Sequence, residues 1–401
     1  MAIAGKISTY IRGSLFEGLK EISITTSLKS LCGSFSFSYD PTKLFTLPNG
    51  RSGPLPPTSS NSQQPAIQDT CEFYIDGNKI FTGYIEDVRG SYNKSSHEVS
   101  FTGRSKTLEI VDHTITVGKS YLTPPLAVLT YKQFFNDVLK DSGLTNQTVV
   151  FDPSFPKLES ALFKEGERAV TEPGQSVFSV LDTYAKKINA ILITDPEGNL
   201  LVTQGNKLRF LGNLNNKVGS SIGAASNNIL EASFKVKTSN RFSKYTLISQ
   251  LDTTVSTGAA LPIDTSATAT QIASAEDSEI KRTKEIVKIV GNVTGEATLQ
   301  DIADWYVNLA KTQGSSYTCK VFDYYTNSRK SSIWEINKMV KVDDDFSLTT
   351  GNFLIDSITY IKSIKGTFTQ LTVVNQDSYS NRQYENVIGA GVAGTIASNT
   401  A

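Results

Sequence analysis

The chain has 401 residues, with 39 Lys and Arg balanced by 39 Asp and Glu, so its formal net charge is zero. At about 150 residues per domain this length implies two or three domains. The charge balance lacks the basic excess that drives non-specific binding to nucleic acid or anionic membranes. Twenty Phe and 16 Tyr against 2 Met, with abundant Ser and Thr, point to an aromatic, β-rich protein. The only histidines are His97 and His113, which argues against catalytic triads and transition-metal sites. Cys32, Cys71 and Cys319 are odd in number and widely spaced, so buried free thiols are expected rather than disulfides or a zinc site. No apolar run reaches membrane-spanning length and no apolar stretch follows Met1–Lys6, which predicts synthesis in a cytosol without a signal peptide.

Residues Glu21–Leu28 and Ser34–Tyr39 alternate apolar and polar, the period of a half-buried strand. Phe73–Phe81 reads as a hairpin turning at Asp76-Gly77, and the pattern continues through Phe81–Val88 and Val99–Phe101. Between Phe45 and Gln68 a Pro/Gly/Ser/Gln segment has no period and reads as a long loop or disordered insertion.

From Tyr121 the texture changes. Pro124-Pro125 interrupts the strands, and Thr130 with Gln133 forms a capping box for a helix carrying Phe134, Phe135, Val138 and Leu139 on one face and stopped by Gly143. A second helix starts near Ser176 with Val177, Val180, Leu181, Tyr184, Ala185 and Ile188 on one stripe. A hairpin over Ala190–Thr203 follows, giving a small α+β unit. Strands return at Ile229–Lys237 and Arg241–Ser249, the Thr253–Ser274 tract reads as a surface loop, and a third helix is predicted from Thr298 to about Lys311 with Ile302, Ala303, Tyr306, Leu309 and Ala310 inward. Strands close the fold near Val374, before a Gly/Ala-rich tail.

One internal echo spans these strands. Phe73–Asp76 followed by Gly83 and Tyr84–Val88 matches Val340–Asp343 followed by Gly351 and Leu354–Ile358. It suggests a duplicated β module, although any two hairpins share some of this pattern.

The candidate chemistry is sparse. Gly389-Ala-Gly-Val-Ala-Gly394 spells a dinucleotide fingerprint, but no βαβ unit can follow it, so it reads as flexible tail. Asp343-Asp344-Asp345 offers hard-cation ligands but is read first as a solvated hairpin turn. Nothing pairs two acids across a cleft as a glycosidase requires. His113, beside Asp112 at a predicted strand exit, and His97, in a polar turn, read as surface residues. Gly103-Arg104-Ser105 ends a strand; Gly103 is expected to form a bulge or take positive φ, letting Arg104 lock Glu109 or Asp112. No catalytic, cofactor or metal residue is assigned.

In order, these pieces resemble the baseplate hub proteins (tail hub or late-control proteins) of contractile-tailed bacteriophages. The carriers are Ile75-Asp-Gly-Asn-Lys-Ile-Phe-Thr-Gly-Tyr-Ile85, with Ser96–Ser105 and Leu108–Asp112; Gly174–Leu181 leading to Ile193–Leu200; and Trp305 in the late helix, then Trp334–Asp343 and Leu354–Ile358. The resemblance covers roughly residues 5–380, with the 46–67 insertion, the Thr-rich stretch and the tail as departures. It implies a mainly β fold with an α+β part: a first β-barrel module at 1–115, a middle domain at 116–222, a second β-barrel module at 223–384 containing helix 298–311, and a flexible tail at 385–401. The structural motif residues it marks are Asp76, Gly77, Gly83, Gly103, Arg104, Ser105, Asp112, Trp334, Asp343 and Gly351.

The resemblance further implies a structural protein without enzymatic activity or cofactor, made in the host bacterial cytoplasm and placed in the virion tail baseplate. Such hubs are homotrimers whose six barrels form a pseudo-sixfold ring between a sixfold tail tube and a threefold central spike. Their partners are the spike, the tube and neighbouring baseplate proteins, with DNA only in transit and no membrane. The alternatives are the hub-like part of a type VI secretion or contractile-bacteriocin particle, a tail-associated cell-wall hydrolase, and a carbohydrate-binding module. The last explains neither the helical middle nor the motif order.

Overall fold

The computed structural model describes residues 5–39 (17 apart), 65–92, 97–122, 129–163, 168–205 (189 apart), 209–219, 227–250, 270–290, 299–376 (328 apart) and 378–379. Residues 46–64 of the insertion, Pro124-Pro125, the 385–401 tail and its glycine motif lie outside the described residues.

The first module comprises β1 (Ile7–Ile11), β2 (Ser14–Phe16), β3 (Leu19–Ser27), β4 (Ser34–Tyr39), β5 (Thr70–Ile75), β6 (Asn78–Tyr92) and β7 (His97–Ser105). Alternation in β4 sends Phe35, Phe37 and Tyr39 inward, where Phe37 stacks on Phe101 at 4.9 Å between centroids and Phe35 meets Phe73 at 5.0 Å. The β5–β6 hairpin turns where expected. Asp76 and Gly77 have φ of 45° and 87°, the left-handed pair that a two-residue turn requires to match strand twist.

The middle region holds α1 (Leu108–Asp112), β8 (Lys119–Leu122), α2 (Tyr131–Asp141), β9 (Val149–Phe151), α3 (Pro156–Glu159), β10 (Arg168–Thr171), α4 (Val177–Lys187), β11 (Ile191–Thr194) and β12 (Leu200–Thr203). The predicted capping box is present: the Gln133 amide donates to the Thr130 hydroxyl at 3.0 Å and the Thr130 amide to the Gln133 side chain at 3.1 Å. Ser176 caps α4 by accepting from the Ser179 amide. The apolar faces of α2 and α4 bury Phe134, Phe135, Val138, Leu139, Val177, Val180, Leu181 and Ala185 in one core. His113 follows a helix, not a strand, and its amide bonds the Glu109 carbonyl as the cap of α1.

The remainder contains β13 (Phe210–Asn216), β14 (Ile229–Val236), β15 (Lys244–Gln250), β16 (Thr270–Glu276), β17 (Glu285–Val290), α5 (Leu299–Gly314), β18 (Ser315–Phe322), β19 (Met339–Asp344), β20 (Thr349–Ser363) and β21 (Gly366–Asn375). Residues 270–274, read from composition as loop, are instead strand β16, pairing with β15 along its length. The small side chains of Ala273 and Ala275 pack there under α5, whose Ile302, Ala303, Tyr306 and Val307 are buried against Tyr245, Leu247 and Ala275. The packing partner, rather than strand propensity, fixes this segment.

While β15–β17 form a sheet of their own, strands β1–β7 with β13, β14 and β18–β21 form one 13-stranded sheet, in which β20 joins β3, over a common core. Its two halves repeat each other in detail. In β6 one extra residue between Ile85 and Asp87 bulges opposite Gly103 and Thr102 of β7. In β20 one extra residue between Ile355 and Ser357 bulges opposite Val373 and Thr372 of β21. A second bulge separates Leu19 from Glu21 where β3 meets β4, and Ile229 from Glu231 where β14 meets β18. Both strands leading into the long hairpin strand begin after a residue with positive φ, Gln68 at 72° and Asn337 at 58°. Each of these donates its amide to the matching isoleucine carbonyl, Ile85 or Ile355. The duplication is therefore real at the level of register. One part of the sequence echo is corrected: Gly351 pairs with Val342 and Gly83 with Cys71, so Gly83 matches Phe353 and the glycines are not equivalent.

Candidate assembly surface

Where the two β modules meet, β20 runs antiparallel to β3 with Ser357 opposite Ser27 through Lys362 opposite Ile22. The seam is held by backbone pairing and a few side chains. Leu28 donates its amide to the Asp356 carbonyl at 2.8 Å, the Thr25 and Thr359 hydroxyls bond at 2.9 Å, and Lys29 reaches the Asp356 carboxylate at 2.8 Å. The Tyr379 hydroxyl donates to the same carboxylate.

The predicted motif residues gather in three places. At the β6–β7 joint, a Cβ on Gly103 would lie 2.0 Å from the Tyr84 carbonyl and one on Gly83 2.2 Å from the Arg104 carbonyl, so close backbone approach demands glycine at both. Gly103 itself neither bulges nor takes positive φ; the bulge sits across from it at Glu86. Arg104 does grip Asp112, with contacts of 3.1 and 2.6 Å, but its other partner is Glu86, at 2.7 and 2.6 Å. Glu109 instead accepts from Gln147. The two carboxylates hold the Arg104 guanidinium charged well above its ordinary range. Ser105 joins a hydroxyl chain with Thr107 and Thr194, which ends on the Leu31 carbonyl and ties β7 to the β11–β12 hairpin.

A second group clasps the two modules. Asp76 accepts from the Lys6 amide at 3.0 Å, the Tyr325 hydroxyl at 2.9 Å and Lys330 at 2.9 Å. Burial pushes its carboxyl up, but the Lys330, Lys6 and Tyr325 hydrogen bonds prevail and hold it below the ordinary range. Trp334, buried beside this loop, donates its amide to the Tyr324 carbonyl and accepts from the Tyr360 hydroxyl.

The third group is the β19–β20 turn. Asp343 and Asp345 both bind Lys217, at 2.6 and 3.0 Å. Asp344 is 1% exposed, so the solvated-turn reading fails for it. It accepts from Tyr317, Ser347, Asn216 and the Phe346 amide. Burial alone would raise its carboxyl; the Ser347, Asn216, Tyr317 and Phe346 bonds hold it below the ordinary range.

The acids are thus committed to structural bonds, and no group of three potential metal ligands occurs among the described residues. Cys71 and Cys319 are buried as expected, whereas Cys32 is only half-buried. The His97 side chain lies outside the described residues. Sequence reasoning named Asp344 without its buried role and missed Glu86, Asp356 and the buried Arg241–Asp277 pair, bonded at 2.8 and 2.9 Å. Only the acid shared by Ile85-Glu86 and Ile355-Asp356 carried a signal for any of them.

Residues 6–105 match the family of Mu phage baseplate assembly protein GpP-like, N-terminal. A curated relative, baseplate hub protein gp44 of Escherichia phage Mu, is 21% identical over 353 residues, covering 87% of this chain and 82% of the relative. Two solved structures share the fold. The 43 kDa tail protein of prophage MuSo2 from Shewanella oneidensis has a TM-score of 0.69 at 22% identity, over 93% of this chain and 98% of that one. The tail protein from Neisseria meningitidis MC58 has a TM-score of 0.69 at 18% identity, over 95% and 100%. Over nearly its whole length, then, the chain is similar to baseplate hub and tail proteins of Mu-like phages, as its ordered motifs imply.

Proposed function

We propose that this chain is a structural baseplate hub of a contractile phage tail. The observation that carries this reading is the repeated β module: two copies in one chain let three chains present six near-equivalent surfaces, the arithmetic needed to join a sixfold tube to a threefold spike. Residues 1–115 and 223–384 supply the repeated modules and 116–222 the middle domain, whose last strand β13 pairs with β19 of the second module. The motif residues act structurally, clasping modules and fixing strand joints, and no reaction is involved. Zero net charge suits a ring through which DNA passes without being held by phosphate contacts. The chain functions in the virion tail with the tube, the spike and adjoining baseplate proteins as partners.

The test is absolute mass in solution by light scattering on a sizing column. The reading predicts three copies of the 43.7 kDa chain, about 131 kDa; a stable monomer or dimer across the soluble concentration range contradicts the homotrimer.

A further inference from the structure

The three units of the chain meet at one small apolar cluster. Leu28 comes from the first module, Ile191 and Ile193 from β11 of the middle domain, and Met339, Leu354 and Val374 from the second module. Tyr379, which lies beyond β21, completes the cluster. A turn places it there: the Ser378 amide and hydroxyl both donate to the Asn375 carbonyl. The fit is close. A Cβ on Gly205 would lie 3.0 Å from the Tyr379 Cβ and 3.4 Å from its carbonyl, so glycine at this point of the middle domain leaves the room that the tyrosine takes. At the far end of the ring the hydroxyl donates to the Asp356 carboxylate, which also binds Lys29 at 2.8 Å.

We propose that this pocket is a receptor site for the chain's own Tyr379, a latch that docks and releases as a unit and fixes the middle domain against the second β module. The latch goes beyond the hub reading and is independent of it, because every contact lies within one chain.

A latch differs from an ordinary core residue in what its release disrupts. The pairing of β21 with β20 runs to Asn375 opposite Phe353, so undocking Tyr379 breaks no strand ladder. It gives up a turn, an aromatic contact and a hydrogen bond to a carboxylate. A unit this small opens at a fraction of the free energy of global unfolding, the condition for a segment to move alone. Its release frees the contact between β11 and the β19–β20 pair. The neighbouring bracket, where the Asn337 side-chain amide donates to the Gln204 carbonyl at 2.8 Å and the Thr203 hydroxyl at 3.3 Å, stays in place as the pivot. On the other flank the Thr107, Thr194 and Leu31 chain of hydrogen bonds keeps the middle domain on the first module.

The chemistry of the pocket sets what it accepts. Its walls are aliphatic and its far end is a carboxylate that takes a hydroxyl proton in a charge-assisted bond, so it selects a phenol over a plain aromatic ring. An apolar cavity left by removing such a ring takes up a free aromatic molecule of matching shape.

The test uses the full chain carrying Tyr379→Ala, read by hydrogen exchange with and without p-cresol, the tyrosine side chain as a free molecule. Exchange should quicken about tenfold or more in 191–205 and 336–341, while β4 and β7 stay as protected as in the wild type. Saturating p-cresol should restore the protection, and toluene, which lacks the hydroxyl, should restore less of it. Tyr379→Phe keeps the ring and loses only the hydroxyl, so it should fall between the wild type and Tyr379→Ala. Unchanged exchange in Tyr379→Ala overturns the latch, as does quickening that spreads through β4 and β7, the behaviour of a general core residue. Wild-type exchange in Tyr379→Phe, toluene matching p-cresol, or neither compound acting overturns the phenol site. Sizing-column mass on the same samples reads the hub assignment separately.

Discussion

Glu86 and Asp356 stand at the same bulge in two copies of one strand, yet Glu86 is exposed and Asp356 is 1% exposed. The difference is the covering strand. β3 lies along β20 and delivers Leu28 and Lys29 to Asp356, whereas nothing described covers Glu86, which turns outward to Arg104. Asp356→Ala removes the carboxylate that accepts from the buried Tyr379 hydroxyl and from Lys29 and should cost about 2–3 kcal/mol. Glu86→Ala loses a solvent-screened bridge and should cost about 1 kcal/mol or less. Urea unfolding of the two variants checks the ordering.

Gly103 and Gly77 are required for different reasons, and alanine separates them. At Gly103 the new methyl meets the Tyr84 carbonyl at 2.0 Å, so the strands must part, and a loss of about 3 kcal/mol is expected. At Gly77 the methyl meets nothing but the φ is +87°, a strain of about 1–2 kcal/mol. Thermal unfolding should place Gly103→Ala below Gly77→Ala.

The Arg241–Asp277 pair is buried, with side chains 4% and 0% exposed. Asp277→Ala takes the bidentate partner from the buried guanidinium and leaves it Glu279, bonded at 2.6 Å, so the cost should be about 3 kcal/mol, the low end for a broken buried pair. The loss should be local, because β15–β17 and α5 have their own core. Hydrogen exchange should therefore quicken in 270–290 and 299–314 while β4 and β7 stay protected.

Asp344 titrates below the ordinary carboxylate range in the folded chain. A depressed folded pKa contributes stability that is complete above the unfolded value of about 4 and is lost as pH falls through the folded value. Asp344→Asn should therefore lower stability at neutral pH and flatten its decline between about pH 5 and 2. Denaturant melts across that range check the slope; parallel curves for variant and wild type contradict it.

Thiol labelling provides a further check. Burial pushes the Cys319 thiol up to about 12 and the Cys71 thiol higher still, so the native chain should react at Cys32 alone, and slowly, because burial raises that thiol as well. Denatured protein should label three sites. Rapid labelling of more than one thiol in the native state would contradict the core placement.

Strand alternation, the capping box at Thr130 and the Asp76-Gly77 turn were legible because each rests on residues close in sequence. The duplication was visible only as a faint echo, because its proof is register: of the bulges at Glu86, Asp356, Lys20 and Leu230, only the acid shared after Ile85 and Ile355 shows in the residues. The β16 strand was hidden because Ala and Ser are poor strand formers, and only α5 explains the place of Ala273 and Ala275. Asp344 and the Arg104–Glu86 bridge depend on contacts between distant strands, beyond what local pattern encodes.

Imaging the purified assembly by electron microscopy tests the central claim most directly. The account predicts a closed ring of three copies that presents six similar β lobes, two from each chain. A two-fold dimer, or a ring without six similar lobes, would contradict it.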